Sequence, residues 1–390
     1  AAGTLRLAGP GAFEARGQLK NFDPRAFVSS APAAELNSRF SLKGQRLPQL
    51  AGQLDFELAS SSFEGKPLAG KGELRLDGSH LAHADLALEI AGNRLSAKGR
   101  YGKPGDALDV HLDAPSLATL GHGLGGRLKL DGVLRGSVEH PAGEFELLGE
   151  KLGFGALRVN TVSGRGRLAE GRSGAIALTL GLTGLGRMDE KEALVRSASF
   201  VFDGSRAANT ARLEVIGRGA QSGVLSLTGQ LGDGPRWEGR LDSLEVRGDY
   251  PAVLLAPAPL LLSRDLLRLG TAELRGGSGG RYRLDETRWQ ARHLVARGSM
   301  GGVPVGVILD PSTRAVKSRG ESLQIGGEWD VDIAEQVNGL VRIYREKGDL
   351  ELQGDSPVRL GLDDLQFTLS AVANRLAFGF SARGSRLGSA

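Results

Sequence analysis

The sequence predicts an all-β protein, an elongated antiparallel β-sheet curled into a taco-like, repeating groove with a hydrophobic interior and few short helices. Apolar and polar residues alternate in many short runs, the pattern of a strand with one apolar face. Glycine occurs 59 times, about twice its usual frequency, whereas only 5% of the residues are aromatic. No window carries apolar residues at helical spacing over three turns. Many short strands joined by turns explain these features best.

The alternation is most regular in residues 326–388. Every second residue is apolar from Leu365 to Leu369, and the alternation resumes at Leu376 after a short break at residues 373–375. Two alternating runs separated by a short break that contains Asn predict an antiparallel hairpin.

The same pattern recurs along the rest of the chain. Asp77 and Gly78 form a strong hairpin-turn signal between two such runs. Asp followed by Pro predicts a one- or two-turn helix at residues 23–27, and residues 113–121 resemble this segment at an offset of about ninety residues. Residues 186–195 are expected to form a loop or short helix, residues 251–269 an irregular Pro- and Leu-rich patch, and residues 276–280 a flexible loop.

If each strand and its turn take about twelve residues, the chain carries roughly thirty strands. At a spacing of about 4.8 Å, a single meander of that size is on the order of 140 Å long. We therefore expect one continuous β-groove over residues 1–390, with candidate sub-units at 1–112, 113–195, 196–320 and 321–390. The chain begins and ends within this pattern, so it is expected to be a piece of a longer protein.

The composition excludes several classes of function. The chain has no cysteine, which rules out disulfides, thiolate metal sites and cysteine nucleophiles. Its net charge of +4 comes from interspersed charges, as on a solvated surface, so no nucleic-acid partner is expected. No run of eighteen apolar residues occurs, so no transmembrane segment is expected in this chain.

The candidate site is the apolar face of the predicted sheet. A contiguous apolar surface above a few hundred Å² marks a binding surface, so either the sheet closes on itself or acyl chains fill the groove. The residues expected to line it are Leu54, Phe56, Leu58, Leu74, Leu76, Leu86, Leu88, Ile90, Leu128, Leu130, Ile176, Leu178, Leu180, Phe200, Phe202, Leu213, Val215, Leu225, Leu227, Val331, Ile333, Val341, Ile343, Leu350, Leu352, Leu365, Phe367, Leu369, Leu376, Phe378 and Phe380.

Several short motifs, taken in order, resemble the central to C-terminal periplasmic part of the TamB family of AsmA-like inner-membrane proteins of Gram-negative bacteria. They are residues 236–241 (RWEGRL), residues 257–260 (PAPL), Trp329, and residues 338–352 (NGLVRIYREKGDLEL). The likeness is strongest over residues 195–388. In that family a strand containing Trp is followed by Gly, by an alternating run with Arg, and by Gly-Asp-Leu.

The resemblance implies a periplasmic location, with the full-length protein anchored in the inner membrane. It implies a bridge-like conduit that carries phospholipids between the inner and outer membranes through a hydrophobic groove and supports outer-membrane biogenesis. The alternative is a scaffold or chaperone for the assembly of outer-membrane proteins and autotransporters. An outer-membrane TamA-type protein is the implied partner, through the full-length chain, and phospholipid is the cargo.

Motifs for catalysis are weak, so no enzyme activity and no cofactor are expected. Residues 121–126 fit G-x-G-x-x-G, but a strand follows where a dinucleotide site needs a helix. Residues 276–280 fit G-x-S-x-G in an all-β context, which favours a loop. His80 and His83 lack a third ligand for zinc, and Asp363 with Asp364 fits an ordinary polar face.

Two other expectations concern packing and fold. The three tryptophans, Trp237, Trp289 and Trp329, are expected to pack in the core or the groove. A parallel β-helix adhesin ranks last among the fold alternatives, because the Asp-Gly hairpin turn favours antiparallel pairing.

Overall fold

A computed structural model describes residues 2–8, 11–26, 28, 30–46, 49–137, 140–232, 236–277, 279–304, 323–352, 358–386 and 388–389. These residues form β-strands, turns and two 3₁₀ turns, and they contain no α-helix. The all-β prediction is therefore confirmed. The chain packs as two compact units, residues 1–206 and 207–390, while the four sub-units expected from the sequence remain a prediction.

The first unit is an antiparallel meander in which each strand pairs with the next along the chain. Its strands are β1 (Ala2–Ala8), β2 (Ala12–Phe22), β3 (Ala34–Gln45), β4 (Ala51–Phe63), β5 (Lys66–Asp77), β6 (His80–Ile90), β7 (Asn93–Tyr101), β8 (Ala107–Ala114), β9 (Leu124–Gly136), β10 (Pro141–Phe154), β11 (Leu157–Leu168), β12 (Ala175–Arg187) and β13 (Val195–Ser205).

Turns in this unit follow the sequence signals. Strands β5 and β6 are joined directly after Asp77, where Gly78 has a φ of 61° that favours glycine. The two predicted short helices are single 3₁₀ turns, Pro24–Ala26 between β2 and β3 and Leu117–Leu120 between β8 and β9. Both members of the weak repeat thus consist of a 3₁₀ turn followed by a strand. Residues 188–194 form a loop.

The second unit is also antiparallel. Its strands are β14 (Asn209–Gly217), β15 (Ser222–Leu231), β16 (Arg236–Arg247), β17 (Ala252–Leu254), β18 (Ala258–Ser263), β19 (Leu266–Leu269), β20 (Ala272–Gly276), β21 (Arg281–Gln290), β22 (His293–Pro304), β23 (Gln324–Ile333), β24 (Val337–Lys347), β25 (Glu351–Leu352), β26 (Val358–Arg359), β27 (Leu362–Val372), β28 (Arg375–Gly384) and β29 (Gly388–Ser389). Strands β25 and β26 pair with each other, whereas β24 pairs with β27.

The expectation of an irregular patch at residues 251–269 is corrected by the structure. The segment forms β17, β18 and β19, and both β17 and β18 pair with β16. Strands β19 and β20 both pair with β21 in the same way. Each pair of short strands therefore acts as one interrupted strand. Pro257, which has no N–H to donate, lies in the first break, whereas Gly270 lies in the second.

Two clusters of buried apolar side chains lie in the second unit. One contains Leu241, Leu254, Ala258 and Ala272, at the level where the two strands are interrupted. The other contains Val303, Leu323, Ile325 and Leu362. Tyr282 packs against the second cluster, and burial raises the pKa of its phenol above the ordinary value. Val305, Val307 and Leu309 alternate in the sequence and predict a further strand, and these residues lie outside the described part of the chain.

Candidate functional site

Three neighbouring ladder rows of the first unit form a single apolar face. Residues directly opposite each other on paired strands project to the same face, so the registers define each row. The middle row runs through Phe40, Phe56, Gly72, Leu86, Ala97, Val110, Gly132, Phe145, Gly166, Leu178 and Phe202. It crosses eleven strands without a polar side chain.

The rows on either side have the same character. One contains Ser38, Leu58, Gly70, Leu88, Leu95, Leu112, Leu130, Leu147, Gly164, Leu180 and Phe200, and the other contains Leu42, Leu54, Leu74, Ala84, Gly99, Leu108, Leu134, Gly143, Leu168, Ile176 and Gly204. Ser38 is the only polar member, and its Oγ donates to the Arg39 carbonyl at 3.1 Å. Rows two residues apart along a strand are separated by about 6.7 Å, so the three rows span about 13 Å.

Glycines within these rows leave room for large side chains from neighbouring strands. A Cβ atom on Gly72 would lie 2.6 Å from Cε1 of Phe56, and one on Gly70 would lie 2.6 Å from Cδ2 of Leu88. The ring of Phe145 covers Gly166 in the same way. Because glycine has no side chain, a ring or a leucine side chain from the neighbouring strand can lie flat against its backbone. This requirement explains part of the glycine-rich composition.

The opposite face of the sheet is charged, and its charges pair across strands. Arg94 Nη2 lies 3.2 Å from Asp113 Oδ2 in the first unit. In the second unit Arg297 lies between Glu286 at 2.8 Å and Asp330 at 3.0 Å. Exposed ion pairs of this kind contribute little stability. Here they keep the charged face hydrated and its net charge small.

Clefts in the first unit lie on this charged face. One of about 550 Å³ has a floor of small residues, Ala69, Ala87 and Ser96, between charged walls that include Glu57 and Lys71. It is shallow because its walls are only the long side chains of neighbouring strands.

The second unit repeats the apolar face on β20 to β28. One row runs through Ala272, Leu284, Gly298, Trp329, Val341, Leu369 and Phe378. A second runs through Leu274, Tyr282, Met300, Gly327, Ile343, Phe367 and Phe380. On β14 to β16, Leu213, Leu225 and Leu244 are direct partners, as are Val215, Gly223 and Val246.

The residues predicted to line the groove are brought together within each unit. Most are half-buried, with one face in contact with neighbours, whereas Ile176 is buried. Leu76, Leu376, Phe378 and Phe380 are exposed, and Phe378 reaches 80%. Leu350 lies in a loop that packs against the cluster around Val303, and the side chain of Leu352 lies outside the described part of the chain.

The prediction omitted several residues of the same rows. Phe40, Leu95, Val110, Leu112 and Phe145 belong to the apolar face as fully as the predicted residues do. These residues alternate with others in the sequence, and that alternation is the signal that could have identified them.

The tryptophans take three different environments. Trp237 is buried and Trp329 is half-buried, as expected for packing residues. Trp289 is 58% exposed, so it does not pack in the core, and its ladder partner Leu294 pairs in turn with Ile333, a residue predicted to line the groove. Trp289 stands opposite Leu267 and Leu294 near the strand ends, where few neighbours can cover an indole.

The histidines do not converge on a metal site. His80 Nε2 lies 3.0 Å from Asp106 Oδ2, whereas His83 Nε2 lies 3.9 Å from Glu73 Oε2. No group of three or more candidate ligands occurs among the described residues. Residues 121–126 include the start of β9 at Leu124 and are followed by no helix. Asp363 and Asp364 are exposed at the start of β27.

No helix among the described residues is long and apolar enough to cross a membrane. Comparison with curated proteins and with solved structures gives no match. The family described as "TamB, N-terminal domain" matches residues 2–257, which are 256 of the 390 residues. The resemblance was expected to be strongest over residues 195–388. The matched residues overlap that stretch at residues 195–257. Because the match covers well over half of its length, the chain belongs to the TamB family.

Proposed function

We propose that the apolar face is a conduit for phospholipid acyl chains, through which lipid moves between the inner and outer membranes in support of outer-membrane biogenesis. The observation that carries this proposal is the middle row of the first unit, which crosses eleven paired strands without a polar side chain. Membership of the TamB family supports a location in the periplasm, as part of the cell envelope.

The physical basis is non-directional burial. Each methylene removed from water contributes about 0.8 kcal/mol, so acyl chains are held without specific contacts to the head group. A face of leucine and phenylalanine offers similar burial at each successive strand, so a lipid moves along it with little change in free energy. The proposal involves no catalysis and no cofactor. The partner is a TamA-type protein in the outer membrane, reached by the full-length protein.

Mass spectrometry of lipids extracted after detergent-free purification tests the proposal. Leu95→Asp places a charge on the apolar face of β7, and Ser96→Asp places the same charge on the opposite face of the same strand. We expect stoichiometric phospholipid on the unchanged chain and on Ser96→Asp, and a loss of several-fold on Leu95→Asp with β-type circular dichroism retained. A folded unchanged chain without lipid would count decisively against a conduit.

A scaffold for the assembly of outer-membrane β-proteins is a second candidate. Strand β28 supports it, because β28 pairs with β27 along its length while its other edge pairs, among the described residues, only at Arg383 and Gly384. An edge of this kind accepts an added strand through main-chain hydrogen bonds. Crosslinking of a nascent outer-membrane protein to Ala377→Cys, and none to Ser96→Cys, would favour this candidate.

A further inference from the structure

A charged side chain lies on the apolar face of the second unit. Besides the two rows of β20 to β28 described above, the registers define three more. One contains Val303, Ile325 and Arg345, one contains Leu269, Thr287, Ala296, Val331, Gly339, Ala371 and Leu376, and one contains Leu267, Trp289, Leu294, Ile333 and Val337. Among the residues that these five rows name, Arg345 alone is charged.

Arg345 has apolar neighbours on this face. Its register partner on β23, Ile325, is buried in the cluster around Val303. On the other side Tyr344 pairs with Gln366, so the antiparallel register places Arg345 beside Leu365 of β27. The side chain of Arg345 is half-buried, so part of it is accessible to a ligand on the apolar face.

Main-chain carbonyls hold the guanidinium of Arg345, and no carboxylate of the described residues pairs with it. Its Nε donates to the Gly348 carbonyl at 3.0 Å, and its Nη1 donates to the Asp363 carbonyl at 3.4 Å. The other N–H groups have no acceptor in the part of the chain that the structure describes. By contrast, Arg342, on the charged face of the same strand, lies 3.5 Å from Glu328. A charge among apolar side chains is costly unless an opposite charge pairs with it, so Arg345 is suited to bind an anion.

We propose that Arg345 binds the phosphate of a phospholipid whose acyl chains lie across the neighbouring apolar rows. The planar guanidinium presents N–H groups in a geometry that matches the oxygens of a phosphate. Arg345 lies in the outermost of the five rows, and the other four extend about 27 Å from it at about 6.7 Å a row. Half of the hydrocarbon core of a bilayer measures about 15 Å, so an acyl chain that starts at Arg345 lies entirely on apolar rows.

This inference rests on the proposed function, because it concerns the same cargo on the same kind of face. The three apolar rows of the first unit contain no charged residue. Lipid is therefore held there by its acyl chains alone, whereas at Arg345 its head group is fixed as well.

Binding of matched lipids tests this site. Isothermal titration calorimetry of the lipid-free chain compares dioctanoyl phosphatidylglycerol with dioctanoylglycerol, which has the same acyl chains and no phosphate, and with inorganic phosphate. We expect Arg345→Met to weaken phosphatidylglycerol binding about ten- to hundredfold, because hydrogen bonds to a charged group are lost, and to change dioctanoylglycerol binding less than about twofold.

Two further variants make the test specific. Arg342→Met, on the opposite face of the same strand, is the matched control and should leave the affinity for both lipids unchanged. Arg345→Lys keeps the charge without the planar arrangement of donors, and it serves if Arg345→Met does not fold. We expect Arg345→Lys to weaken phosphatidylglycerol binding several-fold.

Each other outcome overturns a stated part of the inference. If the Arg345 variants bind both lipids as the unchanged chain does, or lose affinity for both equally, the head-group site is overturned and the conduit is not. If inorganic phosphate binds in an Arg345-dependent way and phosphatidylglycerol binds no better than dioctanoylglycerol, the anion is free phosphate and the lipid assignment is overturned. A folded chain that binds neither lipid overturns the proposed function and the head-group site with it.

Discussion

The indole Nε1 of Trp237 donates a hydrogen bond at 2.7 Å to Oδ1 of Asn209, although their strands, β16 and β14, are separated by β15. Both side chains are buried. The indole can cross the intervening strand because Gly229 and Gly239 leave room for it, and a Cβ atom at either position would lie within about 2.6 Å of the ring. A polar bond thus ties three strands together on the apolar side of the sheet.

Removing one partner of this bond is expected to destabilise the second unit. Asn209→Ala leaves a buried N–H without this acceptor, which costs about 1–3 kcal/mol of unfolding free energy. Urea unfolding of Asn209→Ala, Trp237→Phe and the double variant measures the loss of unfolding free energy. A coupling energy above about 0.5 kcal/mol is expected, whereas additive effects would show that the bond contributes nothing of its own.

Replacing Gly229, which lies beneath the indole, is expected to destabilise the fold even when the new residue is alanine. Gly229→Ala places a methyl group 2.5 Å from the Trp237 ring, and the Glu238 carbonyl oxygen also lies too close to it, so overpacking costs about 1–3 kcal/mol. Gly223, on the same strand, is the control, because the nearest atom to an added Cβ there is 3.8 Å away. Thermal unfolding should place Gly229→Ala well below Gly223→Ala, and equal melting temperatures would contradict the packing described here.

Asp349 predicts a dependence of stability on pH. Burial by itself raises the pKa of its carboxyl, but backbone N–H groups of Leu362, Gly361 and Leu350 and the charge of Arg359 outweigh it and hold the pKa below 3.8. The N–H donors lie at 2.8–3.0 Å. Because the folded pKa is lowered, the stabilisation is present above the unfolded pKa and is lost as the pH falls through the folded value.

Asp349→Asn is therefore expected to be less stable than the unchanged chain at pH 7, and the difference should shrink as the pH falls below about 3.9. Urea unfolding from pH 7 to pH 2.5 measures this difference. Asp363→Asn, an exposed neighbour on β27, is the control and should leave stability at pH 7 within about 0.5 kcal/mol. If the difference in unfolding free energy between Asp349→Asn and the unchanged chain stayed constant with pH, it would contradict the role given to the carboxylate.

The apolar edge of β28 predicts self-association of the purified chain. Leu376, Phe378 and Phe380 are exposed beside an edge that pairs, in the described part of the chain, only at its end. Lysine at Phe378 and Phe380 places charge on this edge, which is how natural sheets discourage pairing with other chains. Light scattering should show less association for this double variant, whereas lysine at the already polar Thr368 and Ser370 should change little.

The sequence alone predicted the fold class and the two faces of the sheet. Alternation is a local property, because successive side chains of a strand point to opposite faces whatever the strand pairs with. Leu86 and Leu88, for example, were assigned to one face before any partner was known, and the structure places both on the apolar rows. The hairpin after Asp77 followed from local chemistry in the same way, since Gly78 adopts a positive φ at low cost.

Only the tertiary structure decided which residues stand side by side. Register shifts occur where Ser60 and Lys151 adopt positive φ values of 51° and 50°, and no turn motif in the sequence marks either position. One such shift changes every later cross-strand partner, because pairing is set by the sum of all residues between two strands. The pairing of both β17 and β18 with β16 and the bond from Trp237 to Asn209 depend on such registers, so local patterns could predict the strands but not these contacts.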